Sequence, residues 1–334
     1  MRGFKLPWAV LPLTLLAVLA APQPRVHAAV TWHAAVGAQS HDKGRQALAF
    51  LPNELWVHAG DSVTWTWYTD EIHTVTFLQT DPLPQTRPDF ATGCPGVTAS
   101  PATFDGTTCI TSPPLVTGSQ YTVQFPSAGN YKLVCLVHEN MTATIHVLAA
   151  TMALPHTQAY YDRLAADQAW DLLSDADADH EAHRGDRGHH HGDHTVVVGR
   201  GEISATAGGS STLSVMRFME PLKIVHAGDT VEWDDDDPVT PHTITFGTEP
   251  GNPIPPSLNV TIDPDGARHA TLNSPFDSAH SGFIVAAYQD QIGSPQVPLG
   301  ATRFRVTFTH AGVYPYICAL HDDLGMKGKI IVLP

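Results

Sequence analysis

Residues 54–77 read ELWVHAGDSVTWTWYTDEIHTVTF, and residues 221–246 read PLKIVHAGDTVEWDDDDPVTPHTITF. Both carry VHAGD-x-V-x-W, then a loop, then a histidine that opens an alternating run, His73 before TVTF and His242 before TITF. The copies match again near their ends, YTVQFPSAGNYKLVCLVHENMTATIHVL (121–148) against FRVTFTHAGVYPYICALHDDLGMKGKIIVL (304–333). Alternation of β-branched and aromatic residues has the period of a strand, and AGD, SAGN and HAGV are turn chemistry. A unit this long, present twice, predicts an all-β protein of two β-sandwich domains rather than a solenoid or propeller.

Working outward, the chain has 334 residues, too many for one sandwich and suited to two domains with a linker. The expected divisions are a signal peptide at 1–28, a first domain at 29–150, a linker at 151–200 and a second domain at 201–334. Within the linker, residues 155–173 lack strand alternation and place Tyr161, Leu164, Ala165, Gln168 and Leu172 on one helical face. Residues 174–194, SDADADHEAHRGDRGHHHGDH, are acidic, rich in histidine and without apolar content. Their composition predicts a solvated, disordered tract. His180, His183, His189, His190, His191 and His194 can capture Cu²⁺, Zn²⁺ or Ni²⁺ loosely there, without selectivity.

The N-terminus reads as a processing segment. Arg2 and Lys5 precede an apolar run over 6–21, and Val26-His27-Ala28 offers small residues at a cleavage site after Ala28. Export to the periplasm or the cell exterior is therefore expected, with no membrane span after cleavage. The formal net charge of −15 argues against nucleic acid, which needs clustered lysine and arginine. In an oxidising compartment Cys94 and Cys109 are expected to form a disulfide, worth about 3 kcal/mol for a loop of that size.

The other two cysteines close the decisive pattern. Cys135 and Cys318 each end a strand-like run and are followed closely by histidine and methionine. An ion that passes between Cu(I) and Cu(II) needs a compromise set of ligands: one thiolate, two imidazoles and a weak thioether. The sequence supplies it twice, as His73, Cys135, His138 and Met141, and as His242, Cys318, His321 and Met326. A Cys135–Cys318 bridge between the halves is the alternative, but it leaves the shared neighbours unexplained.

The loops Cys318-x2-His321-x4-Met326 and Cys135-x2-His138-x2-Met141 resemble those of the cupredoxins, the type 1 blue copper proteins, the first like plastocyanin and pseudoazurin, the second like amicyanin. The resemblance covers roughly residues 45–150 and 201–334. It implies Greek-key sandwiches, two type 1 copper ions per chain and one-electron transfer with a redox protein such as a cytochrome. On that reading His138 and His321 are the solvent-edge ligands, ringed by Leu136, Val137, Ala319 and Leu320 as an apolar docking surface. The run Asp234 to Asp237 reads as a solvated acidic loop, with recruitment of a cationic partner such as a cytochrome, or a Ca²⁺ site, as the alternatives. Copper sequestration or delivery is the second reading. An oxidase or reductase is disfavoured, because no histidine adjoins either cysteine and no His-x-His pair lies in either domain.

Overall fold

A computed structural model describes residues 28–78, 94, 96–185, 194–286 and 301–334. The expected signal segment, apart from residue 28, lies outside the described residues, as do His189, His190 and His191. The first half holds β1 (Thr31–Gln39), β2 (Arg45–Leu51), β3 (Glu54–His58), β4 (Ser62–Trp67), β5 (Thr76–Phe77), β6 (Ala102–Thr103), β7 (Ile110–Thr111), β8 (Gln120–Gln124), β9 (Gly129–Val134) and β10 (Thr142–Leu148). One helix, α1 (Gln158–Gly185), follows. The second half holds β11 (Thr195–Val198), β12 (Gly201–Ala205), β13 (Ser210–Val215), β14 (Leu222–His226), β15 (Thr230–Asp235) and β16 (Thr245–Phe246). It continues through β17 (Thr261–Ile262), β18 (Arg268–Leu272), β19 (Ala279–His280), β20 (Arg303–Phe308), β21 (Gly312–Ile317) and β22 (Lys327–Leu333).

The repeat in sequence is a repeat in topology. The order β3-β10-β9-β5-β7 of the first half recurs as β14-β22-β21-β16-β19, and β1-β4-β8-β6 recurs as β11-β15-β20-β18. The AGD turn explains part of the shared motif. Gly60 and Gly228 sit at φ +99° and +100°, where a side chain is strained, and Asp61 and Asp229 accept from the amides of His58 and His226 three residues back. Each sandwich closes on equivalent aromatic residues. Trp65, Phe77, Phe125 and Tyr131 fill one core, and Trp233, Phe246, Phe308 and Tyr314 fill the other. Tyr131 and Tyr314 each donate their hydroxyl to a carbonyl four residues upstream, at Ser127 and His310. Cys94 and Cys109 form the expected disulfide.

The halves are not beads on a linker. After β11 the chain crosses to the first half, where the β12–β13 hairpin extends its sheet to the order β12-β13-β2-β1-β4-β8-β6. β13 runs antiparallel to β2, with Thr212 opposite Leu48 and Val215 opposite Arg45. Met216, Val239 and Leu324 from the second half join the first core. Arg217 ties three segments together, donating to the carbonyls of Met216 and Leu324 at 2.7 Å each and of Asp42 at 2.7 Å.

Helix α1 buries the expected face. Tyr161 is fully buried, while Leu164, Ala165, Gln168 and Leu172 are half-buried. The helix then runs on to Gly185, through part of the tract whose composition predicts disorder. Ala176, Ala178, Glu181 and Ala182 are good helix formers, and this propensity outweighs the local charge density until Gly185. His180 and His183 therefore lie on the helix. Three side chains fasten α1 to the backbone of the first half. Gln158 exchanges two hydrogen bonds with the backbone of His33, and Gln168 accepts from the Asn53 amide. Tyr161 Oη accepts from Trp56 N at 2.9 Å and donates to Trp56 O at 3.1 Å, covering the free edge of β3. Tyr161→Phe keeps the ring but strips both backbone partners, and is expected to cost about 1–3 kcal/mol in denaturant unfolding, with strand content unchanged by circular dichroism.

Candidate metal centres

Each ligand loop is the hairpin between the last two strands of its half. Cys135 follows β9 and Met141 precedes β10, while Cys318 follows β21 and Met326 precedes β22. The amides of Cys135 and Cys318 donate to the carbonyls of Met141 and Met326 at 3.0 and 3.1 Å, pinching each loop shut. The turn back needs a left-handed residue just before each methionine. Asn140 takes it at φ 55° and Gly325 at φ 92°, so the two loops solve one backbone problem with different residues. The distant histidines stand on short bridges from neighbouring segments, His73 opposite Leu115 and His242 opposite Ile284. The hydroxyl of the following threonine then accepts from the loop: Thr74 from Leu136 N at 2.8 Å, Thr243 from Ala319 N at 2.7 Å.

These contacts bring the two histidines and the cysteine of each predicted set together in both halves. In the first, Cys135 Sγ lies 3.9 Å from Nδ1 of both His73 and His138, whose Nδ1 atoms are 3.1 Å apart. In the second, Cys318 Sγ lies 3.9 Å from His242 Nδ1 and 3.3 Å from His321 Nδ1, and the imidazole nitrogens are 3.1 Å apart. A trigonal ion bound at roughly 2.0–2.3 Å needs donors about 3.6 Å from one another, so both triangles have the right size. All six residues are buried, as are Met141 and Met326. Cys135 and Cys318 are free thiols, which rules out a bridge between them. Burial alone would raise both thiols, yet the adjacent imidazoles hold them well below the usual thiol range, so each offers the thiolate a metal requires. His194, at the end of the linker tract, has its Nε2 3.8 Å from an Asp229 carboxylate oxygen and belongs to neither triangle.

One expectation fails. His138 and His321 do not edge onto solvent; they are 2% and 3% exposed. The β2–β13 joint turns the two loops toward each other across a cleft of about 710 Å³, which Val137 and Leu320 line instead of an outward docking surface. Leu136 is buried. Between the loops stands Glu71, itself buried. Its Oε1 is 3.2 Å from His138 Nε2 and its Oε2 is 3.5 Å from His321 Nε2. Pairing through Nε2 sets the tautomer that leaves Nδ1 facing the thiolate, the usual way an outer carboxylate orients a ligating imidazole. Burial alone would raise the Glu71 carboxyl, but His321 and His138 outweigh it and hold it down to about 2. His138 shows the reverse balance: burial would lower it, but the Cys135 thiolate and Glu71 hold it up to about 9.

The upstream histidines differ. His242 Nε2 faces Asp237 Oδ2 at 3.4 Å, and Asp237 also takes a hydrogen bond from Ser214 Oγ. Burial would lower His242, but Asp235, Asp237 and the Cys318 thiolate raise it well above the ordinary imidazole range. Asp235 and Asp237 are both buried, so the acidic run 234–237 is only partly solvated. The matching position in the first half is Thr69, which donates to Gln46 Oε1 at 2.5 Å. His73 Nε2 is buried with no hydrogen-bond partner among the described residues, and burial lowers that imidazole. Glu71 was not singled out from the sequence, and Asp237 was read only as part of a solvated run; the signal of both lay in being acidic residues a few positions before a ligand histidine.

The chain matches the family model described as copper binding proteins, plastocyanin/azurin family, over residues 37–148 and 204–333. No curated protein sequence matches it. Among solved structures it is similar to oxidized plastocyanin from Dryopteris crassirhizoma, at 18% identity, TM-score 0.22, covering 42% of this chain and 99% of that one. It is also similar to a purple cupredoxin from Nitrosopumilus maritimus, at 19% identity, TM-score 0.24, covering 35% and 98%. A reduced amicyanin mutant aligns at 19% identity, TM-score 0.23, covering 42% and 85%.

The paired charges set a pH profile for the metal-free protein. Glu71, lowered from 4.5, contributes stability that is full above pH 4.5 and lost as pH falls toward 2. His138, raised from 6.5, contributes stability that is full below pH 6.5 and lost as pH rises through 9. The contribution of this pair to the stability of the metal-free protein is therefore greatest between pH 4.5 and 6.5, where the difference in thermal midpoint between wild type and Glu71→Gln should be largest. Glu71→Gln should flatten the profile on both sides.

Proposed function

The chain belongs to the plastocyanin/azurin family of copper-binding proteins, and from that premise we propose that it is an exported protein that binds two type 1 copper ions and transfers single electrons. The observation that carries this reading is the duplicated triangle of one thiolate and two imidazole Nδ1 atoms, buried and of the size a trigonal ion requires. Copper held by such a set would cycle between Cu(I) and Cu(II) with little rearrangement of its ligands. The protein residues supply the rigidity. Thr74 and Thr243 fix the loop backbones, and the Cys135 and Cys318 amides lock them to the methionine carbonyls. The thiolates accept from Val137 N and Thr243 N at 3.4 Å each, which tempers their donor strength. Met141 and Met326 would be the weak axial ligands.

Electron transfer is favoured over oxidase or reductase chemistry because Cys135 lies between Val134 and Leu136, and Cys318 between Ile317 and Ala319. Neither cysteine has a histidine as its immediate sequence neighbour to connect it to a catalytic copper. The outside partners would be a one-electron donor and acceptor protein met in the periplasm or at the cell exterior. Sequestration or delivery is the second reading, favoured by one observation: the ligand imidazoles His138 and His321 are closed off from solvent. Among the described residues no helix is long and apolar enough to cross a membrane.

Copper quantitation with visible and EPR spectra on the mature protein tests the assignment. Two ions per chain with thiolate-to-copper absorption are expected, falling to one in Cys135→Ala and to the other in Cys318→Ala. Reversible one-electron reduction of both supports transfer. Copper bound without a thiolate charge-transfer band would exclude type 1 centres, and tight but redox-inert copper would favour sequestration.

A further inference from the structure

Two ligand histidines of different centres share one buried carboxylate. His138 and His321 each turn Nδ1 toward their own thiolate and Nε2 toward Glu71, with the contacts at 3.2 and 3.5 Å. The path from one centre to the other is therefore imidazole, carboxylate, imidazole, with no gap wider than a long hydrogen bond and all three side chains buried. Charge interactions among buried groups are stronger than in water, because the surroundings screen them less. The second half offers nothing like Glu71 at the same place: its loop there runs Val239, Thr240, Pro241 into His242. One side chain from one half thus serves both centres.

The centres it joins are electrostatically unequal. His242 of the second centre has the Asp237 carboxylate against its outer nitrogen, while the Nε2 of His73 in the first has no hydrogen-bond partner among the described residues. A fixed negative charge against a ligand favours the more positive oxidation state of the ion it holds, and does so strongly in a buried site. The oxidised ion is thus stabilised more at the second centre than at the first.

Resting on the reading that both centres hold copper, we propose that the two form a directed internal relay, in which one electron passes from the second centre to the first across His321, Glu71 and His138. The balance is simple. The second ion goes from Cu(I) to Cu(II), the first goes from Cu(II) to Cu(I), no bond forms or breaks, and no proton leaves its Nε2. Glu71 is a positioning residue in this scheme: it lies on the far side of each ring from the thiolate and acts by holding one imidazole at each of its two oxygens.

The test uses the mature protein with two coppers confirmed by quantitation and absorption, so that failure to bind copper, which would sink the reading beneath, is separated at the start. Single-centre spectra come from Cys135→Ala and Cys318→Ala. The fully oxidised protein receives less than one electron per molecule from a radiolytic pulse, and the redistribution is followed optically. The electron is expected to settle on the first centre. In Glu71→Ala with both coppers retained, redistribution should slow at least about tenfold. Glu71→Asp, which keeps the charge but shortens the reach, should also slow it and serves if the alanine variant loses copper. Asp237→Asn should leave Glu71 in place yet even out the final distribution. An unchanged redistribution rate in both Glu71 variants would overturn the bridge, and settling on the second centre in the wild type would overturn the direction.

Discussion

The antiparallel pairing of β2 with β13 sets the relation between everything else in the molecule. In the repeat, Gln46 and Ser214 are equivalent positions, 11 residues before Val57 and Val225 of the two VHAGD motifs. In the structure they are also partners, opposite one another in the ladder. Equivalent strands that meet antiparallel at equivalent residues create a local twofold relation, as at an isologous dimer contact. Whatever lies at a fixed offset from β2 in one half then faces its counterpart from the other. The ligand loops are such features, and the joint turns them inward.

The same ladder supports the centres chemically. Gln46 accepts from Thr69, and Ser214 donates to Asp237, so each member of the paired residues props the position beneath its own upstream histidine. Here the copies diverge. Thr69 satisfies its hydroxyl on Gln46 and leaves His73 alone, while Asp237 reaches both Ser214 and His242. Gly37 and Gly199 pass so close to these side chains that an added Cβ would lie 2.2 Å from Thr69 or 2.4 Å from His242. The backbone is shaped to admit the props, and threonine against aspartate is the difference that sets the two upstream histidines apart.

Much of this was legible in the sequence. Strand alternation, the AGD turns and the doubled Cys-x2-His loops sufficed for the sandwiches and for the six residues of the two triangles, because each of these is written in local spacing. The face of α1 was legible from Tyr161 to Leu172 for the same reason. What escaped depended on contacts between the halves. The sequence alone cannot place the β12–β13 hairpin on the first sheet, since its alternation is satisfied by any open edge. The inward turn of His138 and His321 follows from that placement, and so does the burial of Glu71. Asp235 and Asp237 were hidden by their neighbours: a run of four aspartates reads as solvated, and only strand alternation into β15 decides which of them point inward.

Burying a carboxylate is costly unless every oxygen is paired, and the cost is greatest when one partner is lost. Glu71 draws its two partners from different halves, His138 from the first and His321 from the second. Both oxygens are therefore satisfied in one relative placement of the halves and not in a slipped one. Hydrophobic contacts at the joint, among them Met216, Val239 and Leu324, are less demanding, because apolar surfaces tolerate small shifts that a hydrogen bond does not. The carboxylate thus works in two directions at once. The fold brings the imidazoles to it, and its need for both of them holds the fold, so that the spacing of the two centres is tied to the orientation of the ligands within each.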